Sequence, residues 1–374
     1  MAKAKVCVMT SVHPPFDVRI FHKQCRSLVQ AGYDVTLVVP HDKEECIDGV
    51  KIKAVSKPRN RKERFLKTGR AVYRQALAVN ADIYHIHDPE LLPFAQLLRL
   101  HHKKVIYDMH ENLPRDILTK EWIAPRKRKI ITNLVHIAEK FLLTGLYVIF
   151  AETSYKKDYP WVTNYTDILN MPDMKYLIGL STDKKYEPVA IGYVGGVSAD
   201  RGSTSILEAI SIIQNKGQKC SFHCIGPADE EHQMDLKATI KKLQLIDIYL
   251  YGYMVPTQAW EIIRKCHIGV AVLKPDPNFY ESYPTKLFEY MALGIPVIAS
   301  DFPLYREVIE KNSCGICVNP ESIQAIADAV GYLANHPMEA KKLGGNGKKA
   351  VTEKYNWECE SSKLLKLYSN LERC

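Results

Sequence analysis

The chain has 374 residues, more than one core needs and enough for two domains, and its 46% hydrophobic and 25% charged content is that of an ordinary globular protein. The longest nearly apolar run, Phe141 to Ala151, is shorter than the ~20 residues a membrane span requires, and only a brief apolar run follows Lys3 and Lys5, so neither span nor signal peptide is expected and the protein is placed in the cytoplasm. The net charge of +9 is uneven: residues 1–180 hold 29 Lys+Arg against 19 Asp+Glu, residues 181–374 hold 22 against 23, so the first half is expected to meet an anionic partner.

Along the first half, "KVCVMT", "DVTLVVP", "ADIYHIHD", "KKVIYDMH" and "LYVIFAE" read as buried strands. Amphipathic stretches separate them, such as Val18 to Ala31, which Gly32 ends. In the second half "VAIGYVGG", "CSFHCIG", "IYLYGY", "IGVAVLK", "PVIASD" and "GICVNP" read the same way. Strands alternating with helices of this length imply parallel sheets with right-handed crossovers. Two such series predict two doubly wound domains, residues 1–175 and 188–355, joined through the Lys-rich stretch Asp173 to Pro188. The last segment, 356–374, reads as a helix with Trp357, Leu364, Leu365 and Leu367 on or near one face, either closing domain two or returning to domain one.

The ten cysteines are scattered, and Cys314-Gly-Ile-Cys317 has no second pair at zinc-finger spacing, so they read as reduced and structural.

Ligands of open α/β sheets bind beyond the carboxyl ends of the strands. The segment "ESYPTKLFEYMALGIPVIASD", Glu281 to Asp301, reads as a loop, a helix from about Lys286 to Leu293 with Thr285 as N-cap and Gly294 past its end, and a strand. A helix N-terminus attracts phosphate, and Lys286 adds a full charge there. Glu289 is in reach of ribose hydroxyls, and Glu281 of the hydroxyls of a second sugar. At the start of the second series, "IGYVGGVSADRG" puts Gly195 and Gly196 after a strand, where backbone approaches phosphate closely, and Arg201 at the loop's end as a bidentate phosphate binder. Tyr253, at the end of "IYLYGY", is assigned to the same donor site.

Over nearly its whole length the sequence resembles the retaining, nucleotide-sugar-dependent GT-B glycosyltransferases of the "group 1", family 4 class, whose bacterial members build surface polysaccharides. "ESYPTKLFEYMALGIPVIASD" is similar to that family's E-x7-E motif. The resemblance implies two facing Rossmann-like domains with a cleft between them and a C-terminal helix, "YNWECESSKLLKLY", that crosses back to domain one. It implies ribose binding by Glu289, contact of Glu281 with the donor sugar near the reacting carbon, and a basic pair on the pyrophosphate. Arg201 takes that pair's Lys position; Gly196 stands where the family has Arg, and Lys286 is the candidate that replaces the charge. "VIYDMHEN" resembles the family's His-bearing strand end and places His110 next to the donor sugar. "SVHPPFDVRIFHK" resembles its opening loop without the usual Gly-Gly, with Asp17 and Arg19 as candidates for acceptor contacts.

The implied chemistry is transfer from a UDP- or GDP-sugar to a glycan or lipid-linked acceptor with retention, without cofactor or essential metal. Same-face displacement with the leaving phosphate as base and a covalent Glu intermediate both fit the sequence. The alternatives are a nucleotide-sugar 2-epimerase and an inactive nucleotide-sugar-binding protein, the latter favoured by Gly196. Within the basic half, Trp122 and Arg126, Lys127, Arg128 and Lys129 beside a hydrophobic face read as an interfacial helix on anionic lipid, which makes a peripheral membrane position the expectation. No nucleic-acid-binding motif accompanies the charge.

Overall fold

The structure, a computed structural model, describes residues 3–60, 63–120, 123–177, 179–180 and 184–373. The chain divides into two compact units, residues 1–170 with 358–374, and residues 171–357.

The first unit is built on eight strands: β1 (Lys5–Met9), β2 (Asp34–Pro40), β3 (Glu45–Ile47), β4 (Val50–Val55), β5 (Ile83–Ile86), β6 (Lys104–Met109), β7 (Tyr147–Phe150) and β8 (Tyr165–Asp167). Their order is β3-β4-β2-β1-β5-β6-β7-β8, parallel except for the β3–β4 pair. β1 lies between β2 and β5, so the chain changes direction across the sheet there, and the loops after β1 and β5 diverge to leave a crevice. The central strands are apolar on both faces because helices cover both, as Val6, Cys7, Val8 and Met9 illustrate, all fully buried. β4 escapes recognition in the sequence because "VKIKAV" alternates Lys with apolar residues; it lies beyond β2, with one face wet. The crossovers are α1 (Arg26–Gln30, entered through π-type turns over Val18–Cys25), α2 (Gly69–Val79), α3 (Leu92–Leu100), α4 (Leu113–Thr119) and α5 (Pro125–Leu142).

The second unit carries β9 (Val189–Val194), β10 (Cys220–Ile225), β11 (Ile248–Gly252), β12 (Ile268–Ala271), β13 (Val297–Ser300) and β14 (Gly315–Val318), all parallel, in the order β11-β10-β9-β12-β13-β14. Its helices are α6 (Ser203–Asn215), α7 (Glu230–Lys242), α8 (Pro256–Ile263), α9 (Pro277–Tyr280), α10 (Thr285–Ala292), α11 (Pro303–Asn312), α12 (Ile323–Asn335) and α13 (Pro337–Glu353). Every strand expected in this half is present. β11 is not buried as expected: it has β10 as its one neighbour, and Tyr249, Leu250 and Tyr251 stay exposed on the sheet edge.

The last helix, α14 (Trp357–Arg373), returns to the first unit, as the resemblance implied. Its inner face is Glu360, Leu364, Tyr368 and Leu371. The Tyr368 hydroxyl and His85 Nδ1 share a 2.9 Å hydrogen bond, Glu360 accepts from the Leu169 N–H at 2.8 Å, and Lys104 donates to the Leu371 carbonyl.

Candidate active site

In the second unit the ends of β9, β10 and β12 open onto a cavity of about 440 Å³. Its floor is backbone. A Cβ on Gly226 would stand 1.7 Å from the Gly195 carbonyl oxygen, at φ +149°, and one on Gly202 would stand 1.8 Å from the Val272 carbonyl oxygen, at φ +82°. These contacts require glycine and bring the three strand ends close together.

One wall is α10. It starts at Thr285, so Thr285 is its first residue and not the N-cap the sequence suggested; Pro284 holds that position and supplies no side-chain hydrogen bond. The cause is the fixed Pro φ of −74°, which already sets the chain for the helix. Tyr290 ties the helix to the sheet: its hydroxyl accepts from the Val194 N–H at 3.0 Å and donates to the Val270 carbonyl at 3.3 Å. Lys286 and Glu289 thereby face the cavity from a fixed element.

Lys286 is buried, and its ammonium has no hydrogen-bond acceptor among the described residues; it lies 3.7 Å from the ring centroid of Tyr193. Burial, with the nearby Arg201 charge, pulls its pKa down to about 7. Tyr193 cannot neutralise it by ionising, because burial raises the phenol well above its ordinary value, and its hydroxyl donates to the Gly196 carbonyl. The Arg201 guanidinium lies 5.3 Å from the Phe279 ring, and a Cβ on Gly196 would be 3.6 Å from its Nε. Arg201 therefore leans over Gly196, to which the resemblance assigns the family's arginine position.

Gly195, Gly196, Arg201, Tyr253, Lys286 and Glu289, all singled out in the sequence, line this one cavity. Glu281 does not line it; it is the half-buried residue following α9, next to Ser282, which does. The sequence reading missed Met254, Trp260 and Pro227, which add an apolar slot, and Tyr193, hidden inside a strand. A glycine closing "CSFHCIG" was the available signal for Gly226.

In the first unit, polar groups gather where β1, β5 and β6 end. Asp108 is fully buried and clamped by Arg19, which donates to Oδ2 at 3.0 Å and Oδ1 at 2.9 Å, and by Gln24 at 2.6 Å. Burial alone would raise its pKa, but the Arg19 charge and the flanking histidines hold it well below the carboxylate range. His87 Nδ1 and His110 Nε2 are 2.8 Å apart, so one donates to the other. Burial lowers the His110 pKa to about 4. His13 is shifted the other way: burial opposes the shift, but the Asp17 carboxylate 3.6 Å away and the charge of Asp88 outweigh it. His13, Arg64, His87, Asp88, Glu90 and His110 border a second cavity of about 330 Å³.

This geometry gives Arg19 a partner that the sequence reading did not assign. Its guanidinium is 4% exposed, bound to Asp108 and to the Ile168 carbonyl, with Nη1 unpartnered among the described residues. Asp17 caps the Val18–Cys25 turns through the N–H groups of Arg19 and Ile20, so its carboxylate is engaged as well. The signal missed in the sequence was "HIHD", two histidines and an acid at a strand end.

His85, His87 and Asp108 are close enough to suggest a metal centre. The two imidazoles stack at 4.5 Å with 27° between their planes, which sends their in-plane lone pairs nearly parallel, and Asp108 is already bound to Arg19 and Gln24.

Trp122 lies outside the described residues. Arg126, Lys127 and Lys129 are exposed at the start of α5, whereas Arg128 folds back onto the carbonyls of Ile123 and Leu118. No helix among the described residues is long and apolar enough to cross a membrane.

Two doubly wound parallel-sheet units, the first completed by a returning C-terminal helix, define the GT-B class. Residues 181–350 match the family described as "Glycosyl transferases group 1", and residues 18–159 match "Glycosyltransferase Family 4". The chain belongs to the group 1 glycosyltransferases. It is 27% identical over 180 residues to an alpha-D-kanosaminyltransferase of Streptomyces kanamyceticus, and 24% identical over 180 residues to the capsular polysaccharide biosynthesis glycosyltransferase CapM of Staphylococcus aureus. Each match spans 48% of this chain and 45% of the relative, so the chain is matched to less than half the length of these relatives. A phosphatidyl-myo-inositol mannosyltransferase of Mycolicibacterium smegmatis is 20% identical over 92% of this chain and 87% of its own. Among solved structures, sucrose-phosphate synthase from Thermosynechococcus elongatus superposes with a TM-score of 0.76 at 18% identity, covering 99% of both chains. Anabaena HepE in complex with UDP and glucose gives 0.73 at 12% identity, over 98% of this chain and 100% of its own.

Proposed function

We propose that this chain is a retaining glycosyltransferase that moves a sugar from a nucleoside-diphosphate sugar to a hydroxyl of a glycan or lipid-linked acceptor, in surface polysaccharide synthesis at the cytoplasmic face of the cell membrane. The observation that carries this reading is the buried Lys286 ammonium without an acceptor, sharing one cavity with Arg201 and Glu289. A buried cation is costly until an anion joins it, so the cavity is organised for a diphosphate.

In this reading Trp260, Met254 and the exposed Tyr253 take the base, Glu289 the ribose hydroxyls, and Lys286, Arg201 and the uncapped start of α10 the diphosphate. Cleavage of the sugar–phosphate bond builds positive charge at C1 and negative charge on the leaving group. Lys286 and Arg201 stabilise the latter without a metal ion, because they are already in place and desolvated. Glu281, beside the cavity, acts next to the sugar; in the first unit, His110 is assigned to sugar contact. The leaving phosphate accepts the acceptor's proton. The relatives named for capsular polysaccharide and for phosphatidyl-myo-inositol support a lipid-linked acceptor. The positive excess of the first half, with Arg126, Lys127 and Lys129 exposed, supports its delivery at an anionic surface.

Thermal shift with UDP, GDP and ADP tests the donor site; saturation at 100 times the dissociation constant adds ~2.7 kcal/mol. Incubation with the matching nucleotide sugar and acceptor, read by NMR at the anomeric carbon, then gives an α-linked product from an α-linked donor. Formation of an epimer, or binding with no turnover in any mixture, would replace the transferase reading.

A further inference from the structure

Helix α5 is amphipathic with its apolar side outward. Ile130 is 60% exposed, Leu134 62%, Ile137 54% and Phe141 73%. At ~100° per residue these four fall within an arc of about 60°, so they form one stripe roughly 17 Å long. A helix packed on a soluble domain turns such a stripe to the core. The stripe is extended at both ends. Leu100, 68% exposed, ends α3 one turn after Gln96, which donates to the Leu142 and Thr144 carbonyls at the end of α5. Leu118, 44% exposed, ends α4 where Arg128 donates to its carbonyl.

The charges around the stripe have one sign. Arg126 and Lys127 lie at its start, and Lys129 and Lys140 flank it, all exposed. The helix's one carboxylate, Glu139, faces the other way, 3% exposed and accepting from the Tyr159 hydroxyl at 2.8 Å. The partner of this face is therefore apolar and anionic at once. A second copy of the same face would bring cation against cation.

We infer that α5, with the ends of α3 and α4, lies in the interface of an anionic bilayer. The stripe enters the acyl boundary by about 5–10 Å while Arg126, Lys127, Lys129 and Lys140 stay among the headgroups. This deepens the peripheral-membrane part of the proposed function and rests on it. Attraction by charge alone is screened by salt, whereas buried apolar area is not. The inserted helix holds the chain on the membrane after its cations are screened.

The test is sedimentation of the full chain with vesicles of phosphatidylcholine alone or mixed with phosphatidylglycerol, at about 0.1 M and about 1 M salt. The acidic vesicles retain the protein at both salt levels. Replacing Ile130, Leu134, Ile137 and Phe141 by Ser lowers partitioning by on the order of tenfold or more and makes the remainder fully salt-releasable. Arg126→Ser with Lys127→Ser and Lys129→Ser removes the preference for acidic lipid. Nucleotide-dependent thermal shift, unchanged in both variants, shows that they are folded. Binding at low salt that high salt abolishes, equal in wild type and stripe variant, overturns insertion and leaves electrostatic attachment standing. No binding to any vesicle overturns the membrane reading itself, as does a wild-type dimer in light scattering that the stripe variant converts to monomer without vesicle binding.

Discussion

The Lys286 ammonium rests 3.7 Å from the ring of Tyr193, and that ring face meets its charge where no hydrogen-bond acceptor among the described residues does. A ring quadrupole compensates only part of what an ammonium loses on leaving water. The result is a lysine whose pKa is lowered from 10.5 to about 7.

This makes nucleotide binding proton-linked. A bound diphosphate raises the Lys286 pKa, so above about pH 7 the complex holds more protons than the free protein. Affinity should fall as pH rises, by up to about tenfold per unit. Calorimetry between pH 7 and 8 in buffers of different ionisation enthalpy should show proton uptake, absent in Lys286→Met. The free protein should behave in the opposite sense. With a folded pKa of about 7 against 10.5 unfolded, its stability rises with pH through that window, and Lys286→Met flattens the rise.

Glu289→Ala should weaken nucleoside diphosphate binding, because Glu289 lines the cavity from α10. Glu281→Ala should leave that binding near normal and lower turnover, because Glu281 stands beside the cavity rather than in it. Titration calorimetry with the diphosphate and steady-state kinetics separate the two; normal binding and rate in both variants would remove the motif assignment.

Arg201→Ala and Lys286→Ala should each slow transfer by ~3 kcal/mol, or 10²–10³ in rate. The double variant should lose less than the product of the two, because both groups serve one diphosphate. Activity should survive EDTA, and complete loss there would refute neutralisation by these side chains.

Arg19→Met should unfold or strongly weaken the first unit instead of altering acceptor affinity. It strands Asp108 at 0% exposure with one neutral donor, Gln24, beside it, and removing one partner of a buried pair costs ~3–5 kcal/mol. Chemical denaturation of Arg19→Met and of Arg19→Met with Asp108→Leu tests this. The double variant should recover part of the loss; a single variant with normal stability and a raised acceptor KM would restore the acceptor role.

Glu139→Gln should stabilise the protein above neutral pH. Burial raises the Glu139 pKa from 4.5 to about 7 in the folded state. That contribution is complete below pH 4.5 and lost as pH rises through about 7, so the gain appears on the alkaline side. Melting curves from pH 5 to 8.5 should converge at the acid end and separate at the other.

Both parallel sheets were legible in the sequence because central strands buried on two faces become unbroken apolar runs. β4 was not, because its Lys51 and Lys53 mark the wet face of a half-buried strand. Lys286 and Glu289 were legible because a helix start and the next turn fix their direction within four residues. Tyr193 was hidden, since a tyrosine inside an apolar run reads as core until the side chain above it is known. The Arg19–Asp108 pair spans 89 positions, and no local pattern encodes a partner that distant. For the same reason Arg19 was read as facing a substrate.

The Tyr368–His85 hydrogen bond joins residues 283 positions apart within one unit. The first unit is thus finished by a helix made after the whole second unit. At ~5–20 residues per second, roughly 10–40 s pass on the ribosome between the emergence of Asn170 and that of Leu371. Through that interval the groove later filled by Leu364, Tyr368 and Leu371 stands open, a nascent surface for a chaperone to guard. The second unit has the opposite order of events, since residues 171–357 are contiguous and need nothing made later. It should become protease-resistant first in arrested nascent chains, although it is the later of the two to be translated.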